Sequence, residues 1–103
     1  MSELIKVANK KDLGSGRAIA VTVKDKTIAV FNIDGQFYAI DDACSHAGGP
    51  LSEGEVNGTI VTCPWHGATF DVTTGEPLNG IASDSLGRYP VVVEGEDIKI
   101  QIP

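Results

Sequence analysis

The sequence predicts an all-β fold, because apolar and polar residues alternate in short runs rich in Val, Ile and Thr, and because Gly, Asp and Asn punctuate those runs. Nothing in it has the period and length of a long helix. Residues 9–13 fit a single helical turn that Gly14 stops. The next segment, 17–24, reads as a strand with Ile19, Val21 and Val23 on one face. Residues 27–33 and 36–40 then form a hairpin around Asp34 and Gly35, a pair that tolerates the positive φ angles of a two-residue turn. Residues 41–58 are expected as one long loop, of a length that usually carries function. Short strands follow at 59–62 and 69–72, with a turn at Thr74 and Gly75 after them. The last hairpin joins 88–94 to 97–102 through Gly95 and Glu96, and alternation places Ile98, Ile100 and Ile102 inward.

A chain of 103 residues has room for one domain with an adequate core, so residues 1–103 are read as a single unit. Two cysteines cannot build the disulfide framework of a small secreted protein. Their association with histidines instead favours metal binding in a reducing compartment, and the cytoplasm is the expected location. Residues 1–6 are charged and lack the apolar segment of a signal peptide, and no run approaches the roughly 20 apolar residues of a membrane span.

All cysteines and histidines of the chain lie in two short knuckles, Cys44-Ser45-His46 and Cys63-Pro64-Trp65-His66, separated by the sixteen residues 47–62. The candidate ligands are therefore Cys44, His46, Cys63 and His66. Two thiolates and two imidazoles hold either one zinc ion or one 2Fe-2S cluster. Zinc fingers usually pair Cys with Cys and His with His, whereas each turn here supplies one of each. A cluster with two Cys on one iron and two His on the other fits that mixture when each turn offers one ligand to each iron. Gly48 and Gly49 leave room for backbone to approach sulfur closely, Pro64 restricts its own φ, and Gly67 frees the turn after the last ligand. Trp65, the single tryptophan, stands between two candidate ligands, where it can shield a metal, form part of a docking surface or simply pack.

These knuckles, continued by Gly48-Gly49-Pro50-Leu51, Gly67, Phe70-Asp71 and Gly75, resemble the Rieske iron-sulfur family almost end to end. The resemblance implies a small antiparallel β-sandwich with a cluster-binding subdomain formed by two loops. It also implies one 2Fe-2S cluster, with Cys44 and Cys63 on the inner iron, His46 and His66 on the outer iron, and the histidine edges as the exit for the electron. High-potential members carry an extra cysteine in each knuckle; Gly49 and Trp65 occupy those positions here, so that disulfide is impossible. They also carry hydroxyls where this chain has Ala68 and Phe70. Hydrogen bonds to sulfur stabilise added electron density, so their loss implies a potential toward the low end of the Rieske range, roughly −150 mV. Ile81 and Ser85 stand where relatives often have prolines in a loop that covers the cluster.

Formal charge is −6, with six Lys/Arg against four Asp/Glu in residues 1–40 and two against ten in residues 41–103. The acidic part is the knuckle-bearing part, which argues against nucleic acid as a partner and for a basic patch on another protein. Asp41, Asp42, Glu53, Glu55 and Asp84 are the candidate steering residues. No further histidine remains for the mononuclear iron of an oxygenase, and no G-x-G-x-x-G follows a strand in a βαβ setting as a nicotinamide or flavin site would need. The expected function is therefore that of a Rieske ferredoxin, not itself an enzyme, passing single electrons from a flavin-dependent reductase to a terminal oxygenase or similar acceptor. The alternatives are a small Rieske subunit of a larger oxidoreductase, such as nitrite reductase, and a zinc-bound interaction module.

Overall fold

The structure, a computed structural model, describes residues 3–24, 26–42, 51–64, 67–78 and 86–102. Among the described residues there are ten strands: β1 (Glu3–Asn9), β2 (Ala18–Val23), β3 (Lys26–Ile33), β4 (Gln36–Asp41), β5 (Glu55–Asn57), β6 (Ile60–Thr62), β7 (Thr69–Asp71), β8 (Arg88–Tyr89), β9 (Val91–Glu94) and β10 (Asp97–Ile102). They form three antiparallel sheets, ordered β1-β10-β9, β2-β3-β4-β8 and β5-β6-β7. The all-β expectation holds, and the β3–β4 and β9–β10 hairpins fall where alternation and turn residues placed them.

The middle sheet is a wall shared by two cores. On β3, Ile28, Ala29, Val30 and Phe31 are all fully buried. Successive strand residues point to opposite faces. Ile28 and Val30 accordingly join Ile98, Ile100 and Ile102 of β10 in one apolar cluster. Ala29 and Phe31 join Leu51, Val61, Cys63, Ala68, Phe70 and Leu86 in the other. Each fully buried aliphatic side chain contributes about 1.5–3 kcal/mol through lost contact with water.

Local chemistry explains the turns. Asp34 and Gly35 take φ of 52° and 88°, and the buried Asn32 holds them by accepting the Gly35 N–H at 2.9 Å while its Nδ2 donates to the Leu13 carbonyl at 2.8 Å. The expected helical turn is a 3-10 turn at Lys10–Asp12, and the side chain of Asn9 accepts the Lys11 N–H at its start.

Two expectations are corrected and one strand is added. Residues 3–9, not expected as a strand, pair with β10, and a bulge between Lys6 and Ala8 breaks the alternation that would have revealed them. Residues 88–94 are not one strand: β8 pairs with β4, β9 pairs with β10, and Pro90, which has no N–H to donate, stands at the crossing between sheets. Part of the long loop 41–58 is ordered as a 3-10 turn at Leu51–Glu53 followed by β5, which pairs with β6.

Gly75 has φ of +80°, and a Cβ there would stand 2.6 Å from the Leu86 carbonyl oxygen. Gly58 has φ of +62° with nothing near a Cβ. Both substitutions to Ala strain the backbone, but only the first also collides. Gly75→Ala should cost roughly 2–3 kcal/mol in thermal unfolding and Gly58→Ala roughly 1 kcal/mol. Equal losses would mean that the contact with Leu86 is unimportant.

Candidate metal centre

The second knuckle is built on the β6–β7 hairpin. Thr62 pairs with Thr69, and beyond that pair the Cys63 N–H donates to the Ala68 carbonyl at 2.7 Å. Period-two alternation then puts Val61, Cys63, Ala68 and Phe70 on one inner face, and all four are essentially fully buried in the same cluster. Gly67, with φ of +74°, takes the left-handed conformation open to glycine, at the turn that follows the candidate ligand His66 in sequence. Pro64 is exposed. Trp65 and His66 lie outside the described residues.

The first knuckle springs from the end of β4. Cys44 and His46, like Gly48, Gly49 and Pro50, lie outside the described residues, but both ends of their segment are held by one residue. The Asp42 carbonyl accepts the Leu51 N–H at 2.7 Å, and its buried carboxylate accepts the Ser52 N–H at 2.7 Å. Where the chain returns, it meets the second knuckle. A Cβ on Gly54 would stand 2.2 Å from the carbonyl oxygen of Thr62, the residue before Cys63, so only glycine permits this approach. Leu51 and Cys63 share the same buried cluster.

The structure therefore brings the base of the first knuckle against the base of the second, with the Cys63 side chain between apolar neighbours. A donor set of two thiolates and two imidazoles on these adjoining bases fits a 2Fe-2S cluster. Leu51, Val61, Ala68 and Phe70 form a buried apolar wall around Cys63. Ala68 and Phe70, where hydroxyls were expected to be missing, are both fully buried in that wall. Ile81 and Ser85 lie outside the described residues.

Two of the five candidate steering residues have other employment. Asp42 is buried, and Asp41 accepts the Gly87 N–H at 2.8 Å and the Tyr89 hydroxyl at 2.6 Å. Both are structural. Glu53 and Glu55 are exposed on the return from the first knuckle, and Asp84 lies outside the described residues. The charge contrast between the two parts of the chain is also not a contrast between faces. Glu94, Glu96 and Asp97 form exposed ion pairs with Lys99, Lys11 and Lys6, and Glu3 pairs with Lys24. Each contributes little to stability. Residues 27–87, however, hold eight Asp/Glu and no Lys/Arg, and both knuckles lie inside that stretch. Sequence reasoning missed Asp42 and Gly54 as supports of the site; an acidic residue just ahead of the first knuckle was the available signal.

Comparison with known proteins agrees with this geometry. The sequence profile of the Rieske [2Fe-2S] domain matches residues 3–90. The 3-phenylpropionate/cinnamic acid dioxygenase ferredoxin subunit of Shigella flexneri serotype 5b is 44% identical over 93 residues, covering 89% of this chain and 87% of its own. The ferredoxin of carbazole 1,9a-dioxygenase from Nocardioides aromaticivorans IC177 superposes with a TM-score of 0.90 at 31% identity, over 94% of this chain and 95% of that one. A nitrite reductase small subunit from Mycobacterium tuberculosis superposes with a TM-score of 0.90, covering 100% of this chain and 97% of its own, but at 22% identity that likeness is one of fold alone. The profile match from residue 3 to residue 90, and the ferredoxin relative at 44% identity, make this chain a member of the Rieske [2Fe-2S] domain family.

Proposed function

We propose that this chain is the ferredoxin component of a dioxygenase system, taking single electrons from a flavin-dependent reductase and delivering them to a terminal oxygenase. The observation that carries the reading is the 44% identity to a dioxygenase ferredoxin subunit over 89% of the chain. A chain in the solved complex of reduced oxygenase and oxidized ferredoxin in carbazole 1,9a-dioxygenase, 34% identical with a TM-score of 0.89 over 94% of this chain and 91% of that one, supports an oxygenase as acceptor. The protein is an electron carrier and not itself a catalyst.

The proposed ligands are Cys44 and Cys63 as thiolates on the inner iron, and His46 and His66 as imidazoles on the outer iron. A cluster so held takes up and releases one electron at a time. The chain's own part is to hold the donors and shape their surroundings. Hairpin closure at Cys63 and Ala68 orients one thiolate, and the bonds from Asp42 to Leu51 and Ser52 hold the base of the segment that contains Cys44. Burial of Cys63 among Leu51, Val61, Ala68 and Phe70 limits water on the inner side. Exposed Glu53 and Glu55 place negative charge on the approach. Among the described residues no helix is long and apolar enough to cross a membrane. A ligand set that needs reduced thiols supports a cytoplasmic location.

Purified protein should contain two irons and two acid-labile sulfides per chain, which is the composition of one such cluster. Cys44→Ser and Cys63→Ser should each abolish the visible absorption and lower thermal stability, because ligand binding contributes to folding in small metal domains. Stoichiometric zinc without sulfide would overturn the cofactor, and a cysteine variant that stays coloured and fully folded would remove that residue from the ligand set.

Introducing Ala68→Ser and Phe70→Tyr together should raise the midpoint potential, since both side chains share the buried face of Cys63 and the new hydroxyls can donate to sulfur. Voltammetry that finds an unchanged or lower potential, in a variant with native visible spectra, would contradict this placement.

Electron transfer to the partner should slow steeply as salt rises from 0.1 M to 1 M, as the Debye length falls from roughly 10 Å to roughly 3 Å. Glu53→Gln with Glu55→Gln should slow association about tenfold at low salt and flatten the salt dependence, with little change in potential. Stopped-flow rates indifferent to salt and to both substitutions would show that the acidity serves solubility alone.

A further inference from the structure

Two adjacent carboxylates at the end of β4 bond in opposite directions. The carbonyl and carboxylate of Asp42 bond toward the metal centre, through Leu51 and Ser52, while its N–H donates to the Thr27 carbonyl of β3 at 3.0 Å. Asp41 bonds away from it, to the far end of the chain. Its Oδ1 accepts the Tyr89 hydroxyl at 2.6 Å, its Oδ2 accepts the Gly87 N–H at 2.8 Å, and its own N–H donates to the Gly87 carbonyl at 2.9 Å. Both carboxylate oxygens and the backbone amide are thus committed to one neighbour, the stretch Gly87–Tyr89. The fit is close, because a Cβ on Gly87 would stand 2.6 Å from Asp41 Oδ2.

Tyr89 is anchored independently. Its side chain belongs to the far core with Ile98 and Ile100, and Lys26 Nζ lies 5.8 Å from its ring centroid. Burial, and then the hydrogen bond and the charge of Asp41, push its phenol up to about 12, so it remains a donor throughout the neutral range. Asp41 is therefore the point where a residue anchored in one core meets the strand that leads to the base of the metal centre in the other.

We propose that Asp41 is a positioning residue of the metal centre: held by Gly87 and Tyr89, it fixes the end of β4 and so places Asp42, and through Asp42 the backbone at Leu51 and Ser52 against the wall that contains Cys63. The inference rests on the reading of Cys44, two residues beyond Asp42, as a ligand. A carboxylate that merely strengthened the β4–β8 pairing would stabilise the fold without influence on the metal's surroundings.

Tyr89→Phe separates the two, because it removes the hydroxyl while keeping the ring and every charge. In the cluster-loaded protein, release of iron to a chelator should be about tenfold faster, the size expected for one hydrogen bond to a charged acceptor. Amide exchange at Leu51 and Ser52 should quicken by a similar factor, while Ile98 in β10 keeps its rate. Visible circular dichroism of the oxidised protein, which reads the asymmetry around the metal, should change. The control is Ile100→Val, which trims the far core without touching Asp41; it should lower Tm, leave iron release within about twofold of wild type and leave the dichroism unchanged. Wild-type release and exchange rates in Tyr89→Phe would overturn the proposal, as would equal acceleration in Ile100→Val. A wild-type protein that binds no iron would instead overturn the proposed ligand set, and exchange at Leu51 and Ser52 in Tyr89→Phe would still decide whether Asp41 positions that backbone.

Discussion

The burial of β3 on both faces is the constraint from which the rest of the architecture follows. Four consecutive residues, Ile28 to Phe31, have no contact with water, so each face of the middle sheet must be covered by another layer. The two layers differ in what they are made of. One is the β1-β10-β9 sheet, whose alternating isoleucines supply a regular apolar face. The other is the small β5-β6-β7 sheet with Leu51 and Leu86, which is too short to do the same by strands alone and places Cys63 within its apolar face.

That division separates stability from chemistry. The far core is assembled from long strands joined by exposed ion pairs at their rims, and its tolerance to conservative change is set by packing. The layer that covers the near core consists of three-residue strands and turns, and it depends on particular contacts: a glycine against the Thr62 carbonyl, a hairpin closed at Cys63 and Ala68, and an aspartate that bonds across the ends of a segment. Short strands bury little area, so single hydrogen bonds account for a larger share of their order. A metal bound by both knuckles would add the cross-link that such small elements lack.

The acidic residues show how the same charge serves different ends. Glu94, Glu96 and Asp97 are paired with Lys99, Lys11 and Lys6, Asp41 and Asp42 satisfy backbone and phenol donors, and Glu53 and Glu55 stand exposed near the knuckles. Net charge alone therefore says little about a docking face. What distinguishes the knuckle region is that residues 27–87 contain no cation to offset their carboxylates.

Local chemistry was legible without coordinates. The residue types at Cys44, His46, Cys63 and His66 and their spacing restrict the metal, since ligand softness and the size of a turn are properties of a few adjacent residues. The Asp34–Gly35 and Gly95–Glu96 turns and the inward isoleucines of β10 were legible for the same reason, period and turn chemistry being local. Tertiary structure decided what depends on distant partners. It joined residues 3–9 to 97–102 across a bulge that hides their alternation, and it split the chain at Pro90 between two sheets. It turned Asp41 and Asp42 from surface charges into acceptors of backbone N–H groups, because whether a carboxylate meets water or an N–H depends on which backbone the fold brings beside it.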